Sequence, residues 1–138
     1  FLQLSVDKFG SHIVEKTLSR CDYPSIKEQC ESLILENMMK LACDPNGIKV
    51  LKFYAQSVFQ NNDHLLLETK VFDNISSLIN SQFGNYLIQC IIENWSVDYA
   101  LKIVNTFKKK LLQLVTQKYS SNVVEKLINC IGEVSQTK

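Results

Sequence analysis

At 138 residues, 46% of them hydrophobic and 21% charged, the chain has the composition of one folded domain, which excludes a disordered tail. A net charge of +1 gives no general attraction for a polyanion, so any nucleic-acid binding has to come from particular residues. No apolar run approaches the roughly 18 residues of a membrane span, no signal-peptide pattern opens the chain, and Cys21, Cys30, Cys43, Cys90 and Cys130 lack CxxC or Cys/His spacing, which favours buried reduced thiols over disulfides or a metal site.

The chain opens on a short apolar segment, Phe1-Leu2-Gln3-Leu4, whose spacing of i, i+1 and i+3 suits a helix of two turns or fewer. A turn region with Gly10 follows, then a helix carrying the apolar pair Ile13/Val14. Beyond a turn at Pro24, Ser25-Ile26-Lys27-Glu28 has the form of a capping box and predicts a helix through about Asn37. The same three parts then recur. Met38-Met39-Lys40-Leu41 precedes Gly47 and a second long helix, and after Asn61-Asn62 a closing helix is expected from about Asp63 to Val71. Ile75-Ser76-Ser77-Leu78 precedes Gly84 and a helix with Leu87/Ile88 and Ile91/Ile92. A turn at Asn94-Trp95-Ser96 then leads to a helix from about Val97 to Lys109. Leu111-Leu112-Gln113-Leu114 opens the fourth set, with Ser120 in the glycine column and Val123/Val124 and Leu127/Ile128 behind it. No stretch alternates with period two long enough for a strand, so the expected class is all-α.

Ser11, Ile48, Asn85 and Ser121 occupy the same place in these sets, at steps of 37, 37 and 36 residues. Such a period predicts an array of stacked three-helix units, approximately 1–36, 37–73, 74–109 and 110–138, whose wide apolar helix faces pack on two neighbours. Neither end resembles a polar capping repeat, so the expectation is a piece of a longer array with apolar end faces capable of end-to-end self-association.

Within each middle helix three positions vary in chemistry while their surroundings stay apolar: Ser11, His12, Glu15; Ile48, Lys49, Lys52; Asn85, Tyr86, Gln89; Ser121, Asn122, Glu125. The first and third members are four apart and lie one above the other, about 6 Å along the axis, close to the span of a nucleobase edge. The second points about 100° away, where an aromatic, imidazole or amide plane can sandwich a base. A carboxylate accepts only, which suits guanine's two adjacent donors, and paired amides match uracil's acceptor-donor-acceptor edge. Recognition of that kind needs unstacked bases, hence single-stranded RNA. His12 and His64 fall in different units and out of register, so no catalytic pair emerges and an enzyme is not expected. No metal or cofactor is expected either. Trp95 is read as packing in an inter-helix turn, and Lys108-Lys109-Lys110 as a solvated run.

Phe83-Gly84-Asn85-Tyr86-Leu87-Ile88-Gln89 and Ser121-Asn122-Val123-Val124-Glu125-Lys126 resemble the uracil- and guanine-reading repeats of the PUF (Pumilio homology) family, in the same order. The resemblance covers essentially the whole chain. It implies an α-solenoid, a right-handed superhelix of three-helix repeats similar to the fourth through seventh of eight. In that family single-stranded RNA lies on the concave face, antiparallel to the protein, one base per repeat. Carried over, Ser121 and Glu125 read guanine, Asn85 and Gln89 uracil, and Ser11 and Glu15 guanine, with His12, Tyr86 and Asn122 at the stacking positions. The second unit departs from the pattern. Ile48 cannot hydrogen-bond a base, Lys52 only donates, Lys49 replaces the flat group, and Pro45-Asn46 replaces the usual aromatic before Gly47. The functions implied are repression or destabilisation of messenger RNA through untranslated regions in the cytoplasm, with protein co-regulators on the outer face. The alternatives are a nucleolar ribosome-biogenesis protein with loose sequence demands and a peptide-binding solenoid scaffold.

Overall fold

The structure is a computed structural model that describes residues 1–136. Its described residues form helices and no strand: α1 (Leu2–Val6), α2 (Gly10–Arg20), α3 (Pro24–Glu36), α4 (Met38–Ala42), α5 (Gly47–Gln60), α6 (Leu65–Asp73), α7 (Ile75–Ile79), α8 (Gly84–Asn94), α9 (Val97–Thr106), α10 (Leu111–Thr116) and α11 (Ser120–Gln136). The order is the expected one: a short helix, a middle helix and a closing helix, repeated, with α10 and α11 opening the fourth set. Among the described residues no helix is long and apolar enough to cross a membrane.

The middle helices form the spine. α2 packs on α5, α5 on α8 and α8 on α11, while each short helix packs on the middle helix that follows it. Their apolar pairs interlock into one continuous core running through Val14, Leu51, Ile88 and Val124, equivalent positions in successive units. Stability therefore comes from unit-to-unit faces, as a stacked array requires.

The short and middle helices meet so closely that the glycine column has a steric cause. A Cβ on Gly47 would stand 2.6 Å from the Leu41 carbonyl oxygen and 2.9 Å from Leu41 Cα, and one on Gly10 would strike the equivalent Leu4 carbonyl. No glycine among the described residues has positive φ, so close approach rather than backbone freedom selects glycine here. Ser120 fills the same column in the fourth unit, and its hydroxyl donates to the equivalent carbonyl, Leu114 O, at 2.8 Å. The clash becomes a hydrogen bond.

Three expected boundaries shift, each for a local reason. The Ser25–Glu28 capping box does not form. Tyr23 is the N-cap and Pro24 the first helical residue of α3, which suits proline's fixed φ and leaves Ser25 inside the first turn. The closing helix of unit two starts at Leu65, not Asp63, because Asp63 finishes α5. Asn62 takes the left-handed conformation (φ 58°) and the Asp63 N–H donates to Val58 O at 2.7 Å, a Schellman arrangement. α9 stops at Thr106, where Phe107 turns inward and the Lys110 N–H closes a turn onto Phe107 O at 2.8 Å.

Trp95 packs as expected, and it does so between units. Its ring stacks on Phe59 of α5 (centroids 5.5 Å apart, planes at 12°) and its indole N–H donates to Ala55 O at 3.0 Å. His64 and Tyr99 complete the cluster, with His64 Nε2 2.7 Å from Tyr99 Oη, and the Tyr99 hydroxyl donates to Glu68 at 3.1 Å.

Candidate nucleic-acid interface

Three of the four middle helices begin from a side chain that caps their free N–H groups. Asp7 Oδ1 accepts from the Phe9 and Gly10 N–H groups at 2.9 and 2.7 Å, and Asp44 Oδ1 accepts from Asn46 and Gly47, both at 2.8 Å. Ser81 Oγ accepts from the Gly84 N–H at 3.1 Å. This column fixes where the helix starts, and hence where the first triplet member falls. It satisfies donors that a helix start otherwise leaves unpaired.

The stacking of α2, α5, α8 and α11 brings all four triplets into one strip. Within it the three members are not equivalent. First members are tucked under the strip: Ser11 and Asn85 are 1% exposed and Ile48 is 4% exposed, in the core. Ser121 is half-buried. Their polar groups turn back to the preceding turn. Ser11 Oγ donates to Lys8 O at 3.3 Å and Ser121 Oγ to Lys118 O at 3.2 Å. The Asn85 amide N–H groups donate to Ser81 O and Gln82 O at 2.8 and 2.9 Å, and its Oδ1 accepts from Gln89 Nε2 at 2.8 Å.

Second and third members form the accessible surface. His12, Lys49, Tyr86 and Asn122 are exposed, as are Lys52 and Glu125, while Glu15 and Gln89 are half-buried. Between the third and fourth units lies an open groove of about 360 Å³ lined by Tyr86, Gln89, Asn122, Glu125, Lys126 and Asn129. Sequence reasoning named four of these and missed two. Asn129 lies four residues beyond Glu125, and that i, i+4 continuation was the signal for it. Lys126 forms an ion pair with Glu93 of α8 across the unit boundary, and the hydrogen bond to that carboxylate holds its ammonium above its ordinary pKa. In unit one, His12 Nδ1 is 3.9 Å from Glu15 Oε2.

The second unit is built differently. Asn46, in the column of Phe9, Phe83 and Tyr119, donates its amide to Val6 O of the preceding unit at 3.1 Å. It fastens units one and two by a hydrogen bond at a column where the other units carry a ring. On the neighbouring α8, the buried Cys90 thiol donates to Lys52 O at 3.7 Å, and burial pushes that thiol's pKa up. Among the described residues no cluster of His, Cys, Asp and Glu could hold a metal ion.

Known proteins carry the same pattern. The family described as "Pumilio-family RNA binding repeat" matches residues 1–35, 74–105 and 110–137, leaving unmatched the stretch that contains Ile48, Lys49 and Lys52. The chain is 30% identical over 132 residues to "Pumilio homology domain family member 4" of Saccharomyces cerevisiae, covering 92% of this chain and 14% of that protein. It is 29% identical over 125 residues to "Suppressor protein MPT5" of the same yeast, covering 88% of this chain and 14% of that protein, so it spans about one seventh of the length of these relatives. In three dimensions it superposes on the RNA-binding domain of yeast Puf5p bound to AAT2 RNA with a TM-score of 0.82 at 27% identity, covering 99% of this chain and 38% of that one. With the family's repeat matched in three of the four units and its solenoid reproduced along the spine, the chain belongs to the Pumilio (PUF) family of RNA-binding repeats, a family of binding proteins rather than of enzymes.

Proposed function

We propose that this chain binds single-stranded RNA along the α2–α5–α8–α11 strip, one base per unit, with the strand antiparallel to the protein. The observation that carries the reading is the register of the strip. Flat or polar second members and hydrogen-bonding third members recur at each unit, and the groove between Tyr86 and Asn122 is open for a base. Yeast Puf5p, which superposes over nearly the whole chain, was solved bound to RNA.

The hydrogen-bond pattern states what each unit offers. In unit three the Asn85 donors are spent on the turn and its oxygen holds Gln89. Gln89 thus presents a carbonyl oxygen and its remaining N–H, which fit uracil's N3–H and one carbonyl. In unit four the exposed Glu125 carboxylate accepts from guanine N1–H and the amino group, and Ser121, donating to its turn, keeps an oxygen lone pair for the amino group. Unit one carries the same residue types, with the half-buried Glu15 as its acceptor and Ser11 buried behind it. The site read is 5′-G-U-N-G-3′, where N faces Ile48, Lys49 and Lys52.

The family setting extends this to messenger RNA regulation through untranslated regions in the cytoplasm, with co-regulator proteins on the α3–α6–α9 side. The unmatched second unit favours one alternative, a nucleolar family member with loose sequence demands. Selection from a random single-stranded RNA library discriminates them. Enrichment of a G-U-N-G core supports sequence reading, whereas binding without enrichment supports the alternative. Glu125→Ala removes charge-assisted bonds of about 1.5–3 kcal/mol, so binding to the selected RNA should fall about tenfold or more.

A further inference from the structure

We propose that Lys49 and Lys52 form a phosphate grip, so that unit two holds the RNA by its backbone and leaves the third nucleotide's base unread. This rests on the strip being an RNA surface. Ile48, where a reader would start, is buried in the core and has no polar group to offer. Lys49 and Lys52 are exposed and three residues apart on α5, hence on one helix face. Neither makes an ion pair or a side-chain hydrogen bond to any described residue. Of the acids on the adjoining middle helices, Glu93 of α8 is held by Lys126, and the Glu15 carboxylate of α2 lies 3.9 Å from His12 Nδ1.

The charge order along the strip explains why two ammonium groups stand here. A polyanion following the third members meets Glu15 in unit one and Glu125 in unit four, both carboxylates. Among the triplets, only unit two, between them, places uncompensated positive charge on that path. An ammonium is a compact, strongly hydrated donor with three N–H groups and no acceptor. It only donates, so it leaves the donors of a base edge unpaired, and it lacks the plane needed to stack. Phosphate oxygens are indifferent to base identity and suit it as a ligand.

The test uses chemically altered G-U-N-G RNA with the parent chain and with the Lys49→Gln/Lys52→Gln variant, each checked for an unchanged helical spectrum. An abasic third nucleotide should cost less than about twofold, whereas an abasic site at the uracil, which loses stacking and Gln89, should cost about tenfold or more. Neutral methylphosphonates flanking the third nucleotide should weaken the parent several-fold and leave the lysine variant unaffected. The slope of log K against log salt should become shallower in the variant by about 0.7 for each phosphate that an ammonium no longer neutralises. An abasic third nucleotide as costly as the abasic uracil would overturn the proposal while leaving sequence reading intact, as would a salt slope identical in parent and variant. If the parent binds no RNA, the functional reading fails first and the grip fails with it.

Discussion

Replacing Gly47 with alanine should destabilise the chain, although the same replacement in most helices stabilises. The added Cβ would lie 2.6 Å from the Leu41 carbonyl oxygen and within 3.1 Å of its carbonyl carbon, both backbone atoms of α4. Reaching ordinary contact at about 3.4 Å requires α4 to move by about 0.8 Å against Gly47, and α4 is itself packed on α5. Overpacking of this kind costs about 1–3 kcal/mol. Against it stands the gain of about 0.4–1 kcal/mol from restricting the unfolded chain, available because Gly47 has no positive φ. The net expectation is a loss of about 1–2 kcal/mol. Gly132 supplies the internal control. It sits within α11 with nothing inside 4 Å of its virtual Cβ, so Gly132→Ala should gain about 0.4–1 kcal/mol. Urea titration followed by Trp95 fluorescence reads both, since Trp95 spans units two and three. If Gly47→Ala raised the midpoint as Gly132→Ala does, the close approach of short and middle helices would be refuted.

Cysteine chemistry and association give further tests. Burial raises the Cys90 thiol pKa, which lowers its thiolate fraction at any working pH, while Cys43 is exposed; limiting alkylation near pH 8 followed by peptide mass analysis should find Cys43 modified first and Cys90 last, and the reverse order would contradict the packing of α8. Val115 is 51% and Ile128 65% exposed, whereas their equivalents Ala42, Ile79, Ala55 and Ile92 are buried by the next unit, and Leu4, Phe9 and Ile13 stand exposed on the opposite end. These two faces are halves of the joint the chain builds internally, so sedimentation of the 138-residue chain by itself should show concentration-dependent head-to-tail association that Ile128→Lys abolishes; if that chain stays monomeric throughout, the expectation is refuted.

The repeat was legible because its cause is steric and recurs in type. The glycine column, the apolar pairs and the period all follow from one packing problem solved again in each unit. What the sequence concealed was set by backbone carbonyls and N–H groups, which no residue pattern displays. The Asp7, Asp44 and Ser81 caps went unread because they precede the glycine by three residues and act through a turn. Asp63 looked like a helix start, but the left-handed Asn62 commits it to closing α5. In the strip, i, i+4 spacing correctly put Asn85 and Gln89 together, and their side chains bond directly. Spacing could not show that Asn85 is buried, since that depends on its amide turning back to Ser81 and Gln82. Lys126 escaped notice because its role is defined by Glu93, on a different helix.

The central claim, that units one, three and four each read one base through their own side chains, is tested most directly by rewriting one unit. Asn85→Ser with Gln89→Glu gives unit three the chemistry of units one and four without touching its neighbours. Repeating the RNA selection with this double variant should change the second position from uracil to guanine and leave the flanking guanines as they were. A variant that still selects uracil there, or that loses preference at all positions together, would contradict base reading by individual units.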